Sequence, residues 1–169
     1  MSSYQVTNLL LLLCHTLVSV ALLGAISHQC VSVLRLRVRP ANGRFLTRYA
    51  AVGGQYFVGA VAFCYVATGV LGAVLYPEYR LEARYALEEL RLLPVVGLFE
   101  LKEHFAALGL GLLPLYVLQW RRHSGRSERV EGTTRDGQAS LPVAVTLTLG
   151  FIVWFTFVVG HIVNNYRGL

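Results

Sequence analysis

Charged residues are scarce in this sequence. Asp, Glu, Lys and Arg make up only 14% of the 169 residues, whereas 55% are hydrophobic and the mean hydropathy is +0.55. A soluble domain usually has about 25% charged residues. The chain therefore has too little polar surface to cover its apolar side chains in water, which argues against a water-soluble enzyme and against a disordered segment.

Cysteines and catalytic motifs are also scarce. The three cysteines Cys14, Cys30 and Cys64 are an odd number without C-x-x-C spacing, which excludes a disulfide-stapled miniprotein. Without a C-x-x-C-H motif, any haem is bound non-covalently. The sequence has no Walker loop, dinucleotide fingerprint, nucleophile elbow or H-E-x-x-H motif, so phosphate-dependent and serine hydrolase chemistry have no support.

Four long hydrophobic stretches are present instead. The first charged residue is Arg35, so the first stretch alone exceeds the ~20 apolar residues that span a bilayer. Outer-membrane strands would show alternation in segments of ~10 residues, which is absent. The sequence predicts an all-α integral membrane protein, a single membrane domain over 1–169 in the form of a four-helix up-down bundle. Its predicted spans are about 6–28, 50–76, 94–120 and 142–164.

The positions of the arginines predict the topology. Ten of the fifteen basic residues lie in the joins 29–49 and 121–141, whereas the join 77–93 balances three arginines with four glutamates. By the positive-inside rule the two Arg-rich joins are cytoplasmic, and both termini lie on the outer side of the cytoplasmic membrane. The net charge of +6 is thus explained by topology and anionic lipid, and a nucleic-acid partner is excluded.

The outer join 77–93 also has a helical pattern. Leu81, Tyr85, Leu87 and Leu90 recur among Glu and Arg residues, and Arg84 and Glu88 form an i,i+4 pair. This pattern predicts a short amphipathic helix on the outer membrane surface, between helices two and three.

Ionisable residues within the spans are the functional candidates, because charge is costly in the bilayer. They are His15 in the first span, His161 in the fourth, and the third span's Glu100, Lys102, Glu103 and His104. Counting ~20 residues from the span ends places the three histidines in the outer third, within about two helical turns of one another.

Helical spacing predicts which face of the third span points inward. Gly97, Glu100, His104, Ala107 and Gly111 fall on one stripe. Because small residues mark helix interfaces in membranes, we expect this stripe to face the bundle interior.

Two imidazoles at one depth favour a b-type haem. In an up-down bundle the first and third helices are diagonal, about 13 Å apart when neighbours lie 8–10 Å apart, so a haem fits between His15 and His104. We expect His161 to replace a ligand or hydrogen-bond to one, with Tyr65 and Asn164 nearby. This arrangement resembles the layout of small membrane-embedded b-type cytochrome subunits. It predicts a membrane redox protein that exchanges electrons with a quinol pool or a periplasmic donor and with partner membrane subunits or a second copy.

Two alternatives remain open at this point. His15, Glu100, His104 and His161 form a donor set suited to an iron, copper or zinc ion, or to proton relay, with Glu103 and Lys102 flanking it. In the other alternative the polar residues are structural, and the chain is a non-catalytic assembly or scaffold subunit. Whether the protein is an enzyme is not decided by the sequence.

Overall fold

Four long apolar helices form the protein. The computed structural model describes residues 3–35, 53–127 and 140–166, and these are all-helical, without a strand. The helices that are long and apolar enough to cross a membrane are Ser3–Leu34, Gly54–Glu89, Leu93–Arg122 and Leu141–Asn165. The predicted multi-pass helical membrane protein is thereby confirmed. Most of the predicted joins 29–49 and 121–141 lies outside the described residues, so the side of each terminus stays a prediction.

Within each described range the helical elements follow one another closely. Helix α1 (Ser3–Arg35) is followed by a 3-10 turn (Gly54–Phe57) that leads directly into α2 (Val58–Glu78). A π-helical turn (Tyr79–Arg84) and the short α3 (Tyr85–Glu89) continue α2, and the long helices α4 (Leu93–Ser127) and α5 (Ser140–Tyr166) complete the chain. Helices α1 and α4 extend well past the predicted spans 6–28 and 94–120.

The join between the second and third spans is helical nearly throughout. Helix α3 ends in a Schellman motif: the Leu92 N–H donates to the Leu87 carbonyl at 2.9 Å, and the Arg91 N–H donates to the Glu88 carbonyl at 3.0 Å. Arg91 adopts the left-handed conformation, with φ of 57°. The predicted position of this segment on the membrane surface stays a prediction.

The four long helices pack in a ring. Helix α1 contacts α2 and α5, while α4 contacts α5 closely and α2 more sparingly. Helices α1 and α4 are therefore at opposite corners of the bundle, the diagonal arrangement that the sequence predicts for the first and third helices.

The hydrophobic core is divided into two clusters. The larger one joins α1, α2, α4 and α5 near the ends that precede the Arg-rich joins, and its buried members are Leu22, Ile26, Val33, Val61, Tyr65, Leu113, Tyr116, Trp120, Val145, Leu149 and Val153. The smaller one lies at the other end and consists of Leu87, Val95, Val96, Val159 and Val163. We call these the inner core and the outer core.

Half-buried and exposed side chains form a band next to the inner core. None of the side chains of residues 8–21, 66–82, 97–108 and 154–158 is buried. Helices α1, α2, α4 and α5 thus all cross this middle band without contributing a buried residue to it. The histidines singled out by the sequence on α1 and α4 both fall within this band.

Candidate functional site

Polar groups in the inner core are well satisfied. Gln29 is fully buried; its amide nitrogen donates to the Gly54 carbonyl at 2.8 Å, and its amide oxygen accepts a hydrogen bond from the Tyr116 hydroxyl. The Trp120 indole donates to the Thr146 hydroxyl at 3.0 Å. These bonds connect α1, α4, α5 and the 3-10 turn that precedes α2. Sequence reasoning missed them, because uncharged polar residues at the end of an apolar span carry no periodic signal.

Contacts between α2 and α4 establish the relative heights of the two helices. The Tyr65 hydroxyl of α2 donates to the Ala106 carbonyl of α4 at 2.9 Å. Further along α2, the Tyr76 ring stacks with Phe99, an earlier residue of α4, at 6.5 Å between ring centroids. The two helices therefore run antiparallel, and the part of α2 between these tyrosines is level with residues 99–106 of α4.

His15 lies at this same height. A Cβ atom at Gly72 of α2 would be 3.4 Å from the Cε1 atom of His15, so the imidazole packs directly against the glycine. Gly72 is located between the two α2–α4 contacts, which puts His15 level with His104. The common depth of these two histidines in a membrane stays a prediction.

The middle band contains unsatisfied polar atoms. Four buried side-chain atoms of the described residues have no hydrogen-bond partner: Asn8 Nδ2, His15 Nδ1, Thr68 Oγ1 and Tyr79 Oη. Asn8 and His15 belong to α1 and share a face because they are two helical turns apart, Thr68 belongs to α2, and Tyr79 begins the π-helical turn. An unpaired buried polar group costs about 1–3 kcal/mol.

The orientation of α4 differs from the prediction. Gly97, Glu100, His104, Ala107 and Gly111 are all exposed, so the stripe expected to face the bundle interior does not do so. The expectation was wrong because the opposite side of α4 carries the large apolar side chains that fill the inner core and pack on α5. Burial of these large residues outweighs close packing of the small ones.

His104 is held by its own helix. Its Nδ1 atom lies 2.7 Å from the Glu100 carbonyl, one turn earlier, which makes Nδ1 the protonated nitrogen and the donor. The Nε2 atom is then the one with a free lone pair. His104 is exposed on α4, but its ring lines a cavity between α2 and α4.

This cavity, which we call the α2–α4 cleft, has a volume of about 210 Å³. It is open on one side, and both helices and the π-helical turn contribute to its wall. Its lining combines aromatic, charged and apolar side chains: Tyr76, Tyr79, Arg84, Val96, Phe99, Glu100, Glu103 and His104. The Tyr79 and Phe99 rings stack with centroids 3.6 Å apart.

Ion pairs connect the two walls of the cleft. The Arg84 guanidinium is 2.7 Å from a Glu88 carboxylate oxygen and 3.2 Å from Glu100. The π-helical turn that carries Arg84 follows Pro77, whose missing N–H interrupts the hydrogen-bond ladder of α2. The charge of Glu100 is therefore partly neutralised. Glu103 forms no ion pair with any described residue.

Lys102 lies on a different side of α4. Its ammonium is 4.4 Å from the centroid of the Phe99 ring, and its Cδ atom would be 3.8 Å from a Cβ atom at Gly160 of α5. The side chain is partly buried and runs along α5 toward the middle band. Sequence reasoning treated Lys102 only as a flanking residue.

The remaining predicted site residues are dispersed. His161 and Asn164 are exposed on α5. Tyr65 uses its hydroxyl to bind α4, as described above, rather than leaving it available to a ligand. Among the residues that the structure describes, no three His, Cys, Asp or Glu side chains form a group that could hold a metal ion, so the set His15, Glu100, His104 and His161 receives no support as a metal site.

Comparison of the chain with protein-family models, with curated proteins and with solved structures finds no match. The function must therefore be argued from the residues of this chain.

Proposed function

We propose that this protein is a small membrane redox protein that binds one b-type haem in the middle band of an up-down helical bundle, near the outer face of the membrane. His15 and His104 would hold the haem iron in this proposal; because His104 is on the exposed side of α4, that side would have to turn toward α1 when haem binds. The two histidines belong to α1 and α4, which lie on the diagonal of the bundle and are level with each other. The protein would transfer electrons within a membrane complex.

The observation that carries the proposal is that the middle band has no buried side chain, although four of its polar atoms are buried without a partner. A bilayer offers no water to satisfy buried polar atoms, and a gap in packing loses dispersion energy. Yet this band contains four unpaired polar atoms and no buried apolar side chain. A large apolar macrocycle with ligand positions for imidazole would fill the gap and give His15 a partner.

The chemistry of the two histidines supports the assignment. An axial histidine commonly donates its second ring N–H to a carbonyl, which orients the ring and makes it a better ligand. His104 has this arrangement, because its Nδ1 atom is bonded to the Glu100 carbonyl and Nε2 is free. His15 has a buried, unpartnered ring nitrogen, and the absence of a side chain at Gly72 lets its ring approach the α2 backbone closely.

The haem supplies reversible one-electron transfer at its iron when bound. The chain's own residues contribute binding and electrostatics. The partly buried Lys102 ammonium offers a positive charge near the band, and the packed inner core closes the bundle on the other side. This placement keeps the redox centre near the outer membrane face.

The test is the visible absorption spectrum of the protein purified in detergent, oxidised and then reduced with dithionite. We expect a Soret band and a sharp α-band on reduction, both lost in His15→Ala and in His104→Ala. His161→Ala is the matched control, because His161 is exposed on α5 and should leave the spectrum unchanged.

Other outcomes separate the alternatives. A colourless protein that contains stoichiometric iron, copper or zinc would overturn the haem proposal and favour the metal site. A folded protein with neither haem nor metal would identify the chain as a non-catalytic subunit. Loss of the bands in His161→Ala but not in His104→Ala would reassign the second ligand.

A further inference from the structure

We propose that the α2–α4 cleft binds the head group of a lipid-soluble hydroquinone. The cleft is a cavity of about 210 Å³ between α2, the π-helical turn and α4, and most of its lining residues belong to the middle band. This inference rests on the proposed redox function, since it names the reductant, but the binding itself is independent of haem.

The aromatic side chains of the cleft suit a flat ring. Tyr79 stacks on Phe99 with an interplanar angle of 16°, and Tyr76 lies next to both rings. Offset stacking with aromatic side chains stabilises a planar aromatic ligand by about 0.5–1.5 kcal/mol per pair. A wall with three aromatic rings therefore favours a planar ligand over a flexible apolar chain.

Polar groups in the cleft suit the two hydroxyls of a hydroquinone. The Tyr79 hydroxyl is buried without a hydrogen-bond partner in the described part of the chain, so it can donate to a ligand oxygen. The Glu103 carboxylate lines the cavity and forms no ion pair there, so it can accept a hydrogen bond from a phenolic hydroxyl. A cavity wall with one hydrogen-bond donor and one hydrogen-bond acceptor matches a phenolic ligand.

The charge balance of the cleft argues against an anionic ligand. Arg84 is the cation among the lining residues, apart from any charge on His104, and it is already paired with Glu88 and Glu100. Since Glu100 and Glu103 both line the wall, a phosphate or carboxylate would meet excess negative charge. A neutral hydroquinone avoids this repulsion.

The size of the cavity limits which part of the molecule it encloses. Sites that bury a whole drug-sized ligand have volumes of about 300–1,000 Å³. The cleft is smaller and open on one side, between two helices that can cross a membrane. It therefore accommodates a head group while an apolar tail remains in the lipid.

The position of the cleft also matches the redox proposal. The ring of His104 lines it, so the ligand would lie next to a proposed axial ligand. Oxidation of a hydroquinone to the quinone releases two electrons and two protons. A bound haem would supply one-electron transfer, twice per hydroquinone, to an electron-accepting protein. Glu103 would accept the two protons in turn and pass each to the aqueous phase at the membrane surface.

The test is calorimetric titration of the protein in lipid nanodiscs with decylubiquinol under anaerobic conditions, with empty nanodiscs as the baseline. The dimethyl ether of the same compound is the ligand control, because it keeps the ring and tail but cannot donate hydrogen bonds. We expect saturable binding of decylubiquinol and at least about tenfold weaker binding of the ether.

Two variant pairs test the polar groups. Glu103→Gln and Tyr79→Phe should each weaken decylubiquinol binding about tenfold. Their controls, Glu89→Gln and Tyr56→Phe, change exposed residues that do not line the cleft and should bind normally. Equal binding of the ether, or normal affinity in both cleft variants with unchanged circular dichroism, would overturn the proposal.

The same preparations are assayed for haem. Hydroquinone binding without haem would refute the proposed function and leave the site in place. Haem without saturable hydroquinone binding would refute this inference alone.

Discussion

The Arg84 guanidinium lies 3.2 Å from the Glu100 carboxylate and thereby joins the π-helical turn after α2 to the outer part of α4. The same guanidinium binds Glu88 within its own helical segment. All three side chains are partly exposed, at 32% for Arg84, 44% for Glu88 and 51% for Glu100. The Arg84–Glu100 ion pair therefore contributes mainly to one side of the α2–α4 cleft and little to the stability of the fold.

Removal of this guanidinium should have a small and salt-dependent effect on stability. Exposed ion pairs contribute about 0–1 kcal/mol, and salt screens them. We expect Arg84→Gln to lower the denaturation midpoint only slightly, and by less still in about 1 M NaCl. Chemical denaturation followed by circular dichroism measures this. Arg80→Gln is the control, since Arg80 is exposed and forms no ion pair with any described residue.

Tyr116→Phe tests the polar cluster of the inner core. The change leaves the amide oxygen of the fully buried Gln29 without its donor. We expect a loss of about 1 kcal/mol in unfolding free energy, because a buried acceptor loses its partner while the volume hardly changes. Tyr56→Phe, at a 76% exposed position, should have no measurable effect. Equal stabilities of the two variants would show that the bond contributes nothing.

Two glycines of α4 should respond oppositely to alanine. A Cβ atom at Gly109 would overlap with the Tyr65 hydroxyl and lie 3.1 Å from Ile152, whereas Gly111 has no atom within 4 Å. We expect Gly109→Ala to lower the melting temperature, because it displaces the Tyr65–Ala106 hydrogen bond. Gly111→Ala should raise stability by about 0.5–1 kcal/mol, since alanine favours the helix. Thermal unfolding of both variants in the same detergent tests this prediction. A lower melting temperature for both variants would contradict the open space at Gly111.

Arg91→Gly should stabilise the end of α3. Arg91 has φ of 57°, a conformation that costs an L residue roughly 1 kcal/mol and glycine nothing. We expect Arg91→Gly to raise the free energy of unfolding by up to about 1 kcal/mol. Arg91→Ala removes the same charge without relieving the backbone, so it serves as the control. If alanine stabilises as much as glycine, the effect comes from the charge and not from the conformation.

Some of the candidate site could be predicted from the sequence and some could not. The shared height of His15 and His104 follows from counting residues along spans of similar length, and the contacts of His15 with Gly72 and of Tyr76 with Phe99 agree with it. The rotation of α4 could not be predicted in the same way. Its small-residue stripe and its large apolar stripe both qualify as interfaces in a membrane, where lipid and core are equally apolar.

The α2–α4 cleft was also beyond sequence reasoning. Tyr76, Tyr79 and Arg84 are close in the chain to a proline, but only the π-helical turn after Pro77 and the antiparallel pairing with α4 bring them to Phe99 and Glu103. The sequence predicted an amphipathic pattern here and singled out Glu100 and Glu103 separately. Whether Glu100 and Glu103 lie next to this segment depends on which sides of α2 and α4 face each other.

The low charge content of the sequence determined, by itself, the class of the protein and its four spans. Transfer of long uncharged stretches from water to lipid is governed by composition and length, which need no tertiary information. The tertiary structure alone decided which faces pack, because burial of Val153, Leu113 and Tyr116 in the inner core sets the rotation of α4 and α5. It thereby turned His104 toward the cleft, while the band around His15 has no buried side chain.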